Sequence, residues 1–450
     1  MPVPICLVTM LKNESENVLN MLKSVENLWD FCVCGFDNTS DDGTEEIVRE
    51  YLNGHKVFYH HYTWRNDFSW ARNLGLDLAL GNFPQVSYAL MMDGDDILHP
   101  ISRPFILGWK DDPHPGYSVL NAYIYLDYDA FGIPMLFYPR CHLFKNDPRI
   151  RFKFKSHNVI ESDGDEQLLV RDFIILHRQA KHKRAYREKQ RIEMNIANLQ
   201  EQAEGHDEPA RPLFYEGNTR MDAGDYEGAE HAFTRYLERA TWHEERYQAM
   251  HHLSSLRMIA GDSAGARTWA WRALQEPGQW NRAESYVMLG DLALFEGRPG
   301  EALHWLEIAG SMPPPVNSLF LQGPIYTWFP HWRLTLLYDR LGRWGQALEH
   351  ARIAARWRPS LDILRAVEVL EACIQEWGPG GQLEDGLQRI DGALPLATGL
   401  RPITDEDLAK ALERIGTNGD LSDDDAGASA GPDVAEGEAG STDTPAVAAS

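Results

Sequence analysis

Met91-Met92-Asp93-Gly94-Asp95-Asp96 places three carboxylates within four positions, directly behind an apolar run. Carboxylates packed this closely repel one another, so the arrangement is costly unless a cation or water neutralises them. Hard oxygen donors of this kind suit Mg²⁺ or Mn²⁺, which take a few carboxylates and complete their shell with phosphate oxygens and water. The alternative for the same residues is an Asp-Gly turn that caps the next helix. A second polar edge, Asp37-Asn38-Thr39-Ser40-Asp41-Asp42-Gly43-Thr44, follows another apolar run and is crowded with residues that cap helices and make turns.

The elements that must carry these edges are legible in the hydrophobic pattern. Ile5 to Met10 is a short apolar run, a helical pattern follows through Val18, Leu22 and Val25, and a second run spans Phe31 to Phe36. A helix is predicted over Glu45 to Leu52 and a third strand over Val86 to Met92. Strand, helix, strand predicts a parallel sheet covered by helices, and in such sheets ligands sit at the carboxyl ends of the strands. Both acidic edges fall there. Cys32 and Cys34 alternate along the second run and so face one side, which favours buried thiols over a metal site.

The chain has 450 residues, which at roughly 150 per domain predicts two or three folded units. Beyond a seam near Arg184 to Asp207 the composition turns rich in Trp and Ala, and a Gly five residues before an Ala recurs four times. The pairs are Gly224 and Ala229, Gly261 and Ala266, Gly297 and Ala302, and Gly342 and Ala347. The Ala residues are 37, 36 and 45 positions apart, and the long interval contains Pro313-Pro314-Pro315, which predicts a non-helical insertion. Each Ala is followed one helical turn later by Phe233, Ala270, Leu306 or Ala351. The Gly closes one helix, and the small Ala lets the next pack closely. The pattern, over about Arg211 to Pro359, resembles tetratricopeptide repeats. Such arrays bind peptides, act as spacers or join copies of a chain into homo-oligomers.

The formal net charge is −24, the wrong sign for a general nucleic-acid coat. Eight of the acidic residues lie between Gly416 and Ser450, a stretch without Lys or Arg and nearly without large apolar residues. This end is expected to be a disordered acidic tail. It contains Gly427-Ala428-Ser429-Ala430-Gly431, a formal hydrolase elbow that lacks the strand and helix needed to strain its Ser. No apolar run approaches the roughly 18 to 20 residues of a membrane span, the N-terminus lacks a secretory signal, and five Cys make no disulfide scaffold. A cytoplasmic chain is expected. Neither G-x-G-x-x-G nor G-x-x-x-x-G-K-[ST] occurs, which argues against a Rossmann oxidoreductase or a phosphate-loop ATPase.

Four ordered strings carry a further resemblance: LVTMLKNESENVLNMLKSV, DNTSDDGT, NDFSWARN and MDGDD. Together they resemble the nucleotide-sugar-binding half of a family 2 glycosyltransferase with the GT-A fold, over about Pro4 to Arg184. Its combination with tetratricopeptide repeats resembles a subgroup that includes peptide and protein glycosyltransferases. The resemblance implies an α/β GT-A domain over residues 1–184, with a mostly parallel sheet and helices on both faces. A helical linker (185–210), an all-α solenoid (211–377), a helical extension (378–415) and the tail (416–450) follow.

The resemblance also implies a donor, a UDP-sugar favoured, and Mn²⁺ or Mg²⁺ as cofactor. Thr9 and Asp37 would hold the base. Asp67 and Arg72 lie in the string expected to approach nucleotide or diphosphate, and Asp93 would contact ribose and metal. Asp95 would be the main metal ligand, completed by His177 in preference to His182. A divalent ion and an Arg would stabilise charge growing on the leaving diphosphate. An inverting transfer also needs a base for the acceptor hydroxyl. Related proteins often show His-Glu where this chain has His157-Asn158, and Asn cannot act as a base. Glu161, His157 and Asp163 are the candidates, with Glu161 first. The expected acceptor is a protein or peptide. A glycolipid or polysaccharide is the alternative acceptor, and a non-catalytic scaffold the alternative role.

Overall fold

A computed structural model describes residues 2–162, 166–177, 188–203, 210–316 and 318–379. Asp163, His182, nearly all of the 378–415 extension and the whole acidic tail with its Gly-Ala-Ser-Ala-Gly string lie outside the described residues.

The first half begins β1 (Ile5–Leu11), α1 (Val18–Ser24), β2 (Phe31–Asp37), α2 (Thr44–Tyr51), β3 (Val57–Tyr62), α3 (Phe68–Asn82) and β4 (Tyr88–Met91). It continues β5 (Asp96–Leu98), α4 (Arg103–Asp111), β6 (Tyr117–Tyr128), β7 (Pro134–Lys145), β8 (Arg151–Lys153), β9 (Val159–Glu161) and β10 (Glu166–His177). Eight strands form one sheet in the order β3-β2-β1-β4-β7-β6-β10-β5. The four strands from β3 to β4 are parallel, β6 and β10 are parallel, and β7 runs against both of its neighbours.

The period of two along a strand explains why this sheet is covered on both sides. Ile5, Leu7, Cys32, Cys34 and Phe36 join Met21, Leu22, Val48 and Ile106 from α1, α2 and α4 in one core. Cys6, Val8, Phe31 and Val33 point the other way, onto Leu76 and Ala79 of α3 and Phe152 of β8. Cys32 and Cys34 are buried thiols with sulfurs 3.4 Å apart.

The second half is α-helical. After a helix over Glu188–Ala203 come four hairpins: 211–222 with 226–239, 243–259 with 263–275, 283–295 with 299–311, and 329–340 with 344–357. A last helix spans Leu361–Trp377. Gly224, Gly261, Gly297 and Gly342 have φ of 75°, 76°, 71° and 68°, the left-handed turn that a helix end needs and that glycine adopts without strain. The four repeat Ala residues, and Phe233, Ala270, Leu306 and Ala351 one turn on, are all fully buried. Small residues at these helix contacts are what makes the repeat.

The insertion predicted from Pro313-Pro314-Pro315 returns to the sheet. β4 ends at Met91, so the outer half of β7 has a free edge, and Leu321 pairs with it through two backbone hydrogen bonds to Phe137, each 2.9 Å. The contact is so close that a Cβ on Gly323 would stand 2.0 Å from the carbonyl oxygen of Pro134. Ile133, in the turn before β7, packs with Trp328, Ala354 and Ile363 of the repeats.

Gly323→Ala should therefore cost about 1–3 kcal/mol of unfolding free energy by urea titration. Gly81→Ala, in α3 with open space around the added methyl, should gain about 0.5 kcal/mol.

Candidate functional site

Thr9, near the end of β1, is fully buried, and its hydroxyl oxygen has no hydrogen-bond partner among the described residues. Asp37, the last residue of β2, is also buried, three positions beyond Cys34, the register partner of Thr9, and on the opposite face of the sheet from Thr9. One carboxylate oxygen accepts from the Thr39 backbone N–H at 2.7 Å and from the Thr39 hydroxyl. The other is buried without a partner. A buried acceptor left open costs about 1–3 kcal/mol, so this oxygen is poised for a ligand N–H. The loop after β1 is stitched to the loop after β2. Asn13 Nδ2 donates to Asp41 at 3.0 Å, the Asp41 N–H returns to Asn13 Oδ1 at 2.9 Å, and the Ser15 N–H donates to Asp42 at 2.9 Å. Burial works against ionised Asp42, but hydrogen bonds from Thr44 and Ser15 hold its carboxyl down at about 2.

The acidic run after β4 divides between two sets of partners. Asp93 is clasped by Arg72 of α3, whose Nη2 lies 2.9 and 2.7 Å from its two oxygens, and by Arg140 of β7 at 2.8 Å. Burial opposes the charge on Asp93, yet the two guanidinium groups outweigh it and hold the carboxyl far below its ordinary range. Arg72 also donates to Asn158 Oδ1 at 3.0 Å. Two cations and one anion leave this cluster with a net positive charge.

Asp95 and Asp96 face His177 at the end of β10. The β5–β10 register sets Asp96 opposite His177, and His177 Nδ1 is 2.8 Å from Asp96 and 3.6 Å from Asp95. One ligand atom from each of the three lies within 4.8 Å of the others. Burial, with Asp96, Glu14 and Asp93 nearby, pushes the Asp95 carboxyl up to about 7 despite the imidazole. Burial disfavours charged His177, but Asp96 and Asp95 prevail and raise it to about 9. Two carboxylates and an imidazole held this close, with Asp95 and His177 both inclined to keep a proton, form a donor set that fits a hard divalent cation, whose binding would displace those protons.

The structure thus places Asp95, Asp96 and His177 together and turns Asp93 toward two guanidinium groups. Asp67 caps α3, accepting from the Trp70 N–H at 2.9 Å and the Ser69 hydroxyl at 2.7 Å. Of the base candidates, Glu161 is exposed and paired with Lys153 across the β8–β9 hairpin. His157 stacks on Tyr215 of the first repeat, ring centres 4.1 Å apart. The residue that reaches the charged cluster from this loop is Asn158. Phe154 and His157 take φ of 74° and 50°, strained for non-glycine residues, and the helix over 188–203 enforces that shape. Gln202 accepts from the Lys155 N–H at 2.9 Å, and Asn198 donates to Ser156 at 3.3 Å and to the Asn66 carbonyl at 3.1 Å.

Sequence reasoning missed Arg140, although an Arg inside an otherwise apolar strand was a signal, and it left Asp96 out of the candidate cation-binding set. It also missed His142, whose Nδ1 lies 2.7 Å from the Met91 carbonyl oxygen behind the site and whose Nε2 has no partner among the described residues. Burial pushes this imidazole down to about 4.

Residues 6–175 match the family model described as glycosyl transferase family 2. No curated protein matches the chain. Among solved structures, a crystal structure of MamA is 17% identical, covering 38% of this chain and 92% of that one, TM-score 0.32. YrrB, described as a TPR protein with an unusual peptide-binding site, is 15% identical, covering 48% and 91%, TM-score 0.32. PilF of Pseudomonas aeruginosa is 13% identical, covering 41% and 77%, TM-score 0.33.

Asp93→Asn removes the anion from between Arg72 and Arg140, and should lower unfolding free energy by about 2 kcal/mol, the buried-pair cost discounted for partial exposure. A second variant tests His142. The unfolded chain protonates this imidazole below about 6.5, whereas the folded chain holds it neutral to about 4. Wild type should therefore lose about 1–3 kcal/mol relative to His142→Gln as pH falls from 6.5 to 4, measured by urea unfolding of both proteins.

Proposed function

From the premise that residues 6–175 form a family 2 glycosyl transferase domain, we propose that the protein moves a sugar, of hexose type, from a nucleotide-sugar donor to an acceptor hydroxyl. The observation that carries the reading is the pairing of the Asp95, Asp96 and His177 donor set with the positive Arg72, Asp93 and Arg140 cluster where β4 ends. The donor is proposed to be a UDP-sugar.

Each residue has a physical task. The open oxygen of Asp37 and the Thr9 hydroxyl accept and donate at the base edge. Asp93 meets the ribose, oriented by its two guanidinium partners. Arg72 and Arg140 hold fixed positive charge toward the diphosphate, and need no reorganisation as negative charge grows on it. Mn²⁺ or Mg²⁺ held by Asp95, Asp96 and His177 would supply further neutralisation of that leaving group. The proton of the attacking hydroxyl is assigned to Glu161, His157 or Asp163, Glu161 first, because Asn158 has no basic lone pair to offer.

The acceptor is proposed to be a protein or peptide recognised with the help of the repeats. No helix among the described residues is long and apolar enough to cross a membrane, and a cytoplasmic site of action is proposed. Asn158 favours one second reading, a non-catalytic scaffold in which the repeats do the work and the domain over residues 6–175 is inactive.

A single assay separates the two. With Mn²⁺ present, wild type should slowly hydrolyse a nucleotide sugar, and Asp95→Ala should lose at least about 100-fold of that rate, a few kcal/mol of transition-state stabilisation. Wild type that neither binds nor hydrolyses any common nucleotide sugar with Mn²⁺ present would leave the scaffold reading. Separate substitution of Glu161, His157 and Asp163 should preserve donor binding, and a transfer rate unchanged in all three would remove them as bases.

A further inference from the structure

The insertion that reaches β7 is held from its other side in an unusual way. Residues 318–326 lie on the first helices of the second and third hairpins, and much of the grip is on their backbone. Gln248 donates to the Leu319 carbonyl at 2.8 Å and Arg282 to the same oxygen at 3.1 Å. The Leu319 N–H donates to Glu244 at 3.2 Å, the Gln322 N–H to Glu284 at 3.4 Å, and the Tyr326 hydroxyl to Glu284 at 2.6 Å.

Arg282 is fully buried, set between Glu244 and Glu284 with its guanidinium 4.3 Å from the Tyr247 ring centre. Helices packing only on one another gain nothing from such a cluster, since apolar residues fill the same space at lower cost. The charges are accounted for by the backbone that lies on them. Side chains that bond main-chain N–H and C=O groups recognise an extended chain as such, and leave selectivity to neighbouring apolar contacts. Those contacts are made by Leu321, fully buried, and by Phe320, whose ring stands 5.2 Å from Tyr138 and 6.0 Å from Phe214. Phe320 has φ of 52°, a strained conformation that persists because both sides of the segment are clamped.

We propose that this face of the repeats is a peptide-binding site that the chain fills with its own residues 318–322. An outside partner would be an extended peptide carrying adjacent large apolar and aromatic side chains, and it could enter only by lifting this segment from both the repeats and β7. The proposal stands independently of the transferase reading. A tethered segment acts at an effective concentration in the millimolar range, so a free peptide of micromolar affinity would be excluded by roughly 100-fold.

The test uses the full chain with residues 318–322 replaced by Gly-Ser-Gly-Ser-Gly, and a fluorescent synthetic peptide of Ser318 to Trp328. By anisotropy the peptide should bind the replaced chain at micromolar concentration and wild type at least about 100-fold more weakly. A replaced chain that keeps its helical circular dichroism and cooperative unfolding but fails to bind, or wild type that binds equally well, overturns the proposal. Should the replacement not fold, Gln248→Ala in the intact chain decides by hydrogen exchange. Amides 319–322 should exchange about 10-fold faster than in wild type if the repeats hold the segment, and unchanged exchange overturns it.

Discussion

The carboxylate of Asp93 between the guanidinium groups of Arg72 and Arg140 is the contact on which the sheet half depends. Three acidic side chains within four residues cannot be packed at a sheet end unless their charge is answered. The chain answers it twice. Two permanent cations fix Asp93, and His177 faces Asp95 and Asp96 across the β5–β10 register. The division turns one acidic run into a carboxylate fixed between two guanidinium groups and a candidate donor set for a cation.

Both guanidinium groups are placed through the helical half as well as the sheet. Arg72 rides on α3, which Asp67 caps and which Asn73 ties to Phe152 by a reciprocal pair of 2.9 and 2.8 Å hydrogen bonds. The loop beyond Phe152 is then held by Gln202 and Asn198. Arg140 sits on the part of β7 that outruns β4, where the free strand edge is closed by Leu321. The repeats are therefore part of the scaffold of the site. A substitution at the Leu321 contact acts on the strand that carries Arg140, although it touches neither Arg140 nor Asp93.

What could be read in the sequence follows from the range of each interaction. The apolar runs at Ile5 and Phe31 and the Gly-to-Ala spacing are local, and both the parallel strands and the four buried repeat Ala residues are where those patterns imply. Asp95 and His177 were paired by resemblance, which carries long-range information that periodicity lacks. Arg140 needed knowledge that β7 runs antiparallel beside β4, and strand direction leaves no mark on an alternating pattern. The insertion at Pro313 announced itself as non-helical, but its partner on β7 lies far away in sequence, and nothing local encodes that pairing.

Asn158 has an electrostatic consequence beyond the loss of a base. Its amide oxygen accepts from Arg72 at 3.0 Å, much as a carboxylate there would, so the loop keeps its anchor on α3. A Glu in its place would add a second anion to Arg72, Asp93 and Arg140 and cancel the charge left over. With Asn the cluster stays net positive beside the Asp95, Asp96 and His177 set, a state that suits the diphosphate of the proposed donor. On the proposed transferase reading, the departure shifts this position from taking a proton toward helping to hold an anion.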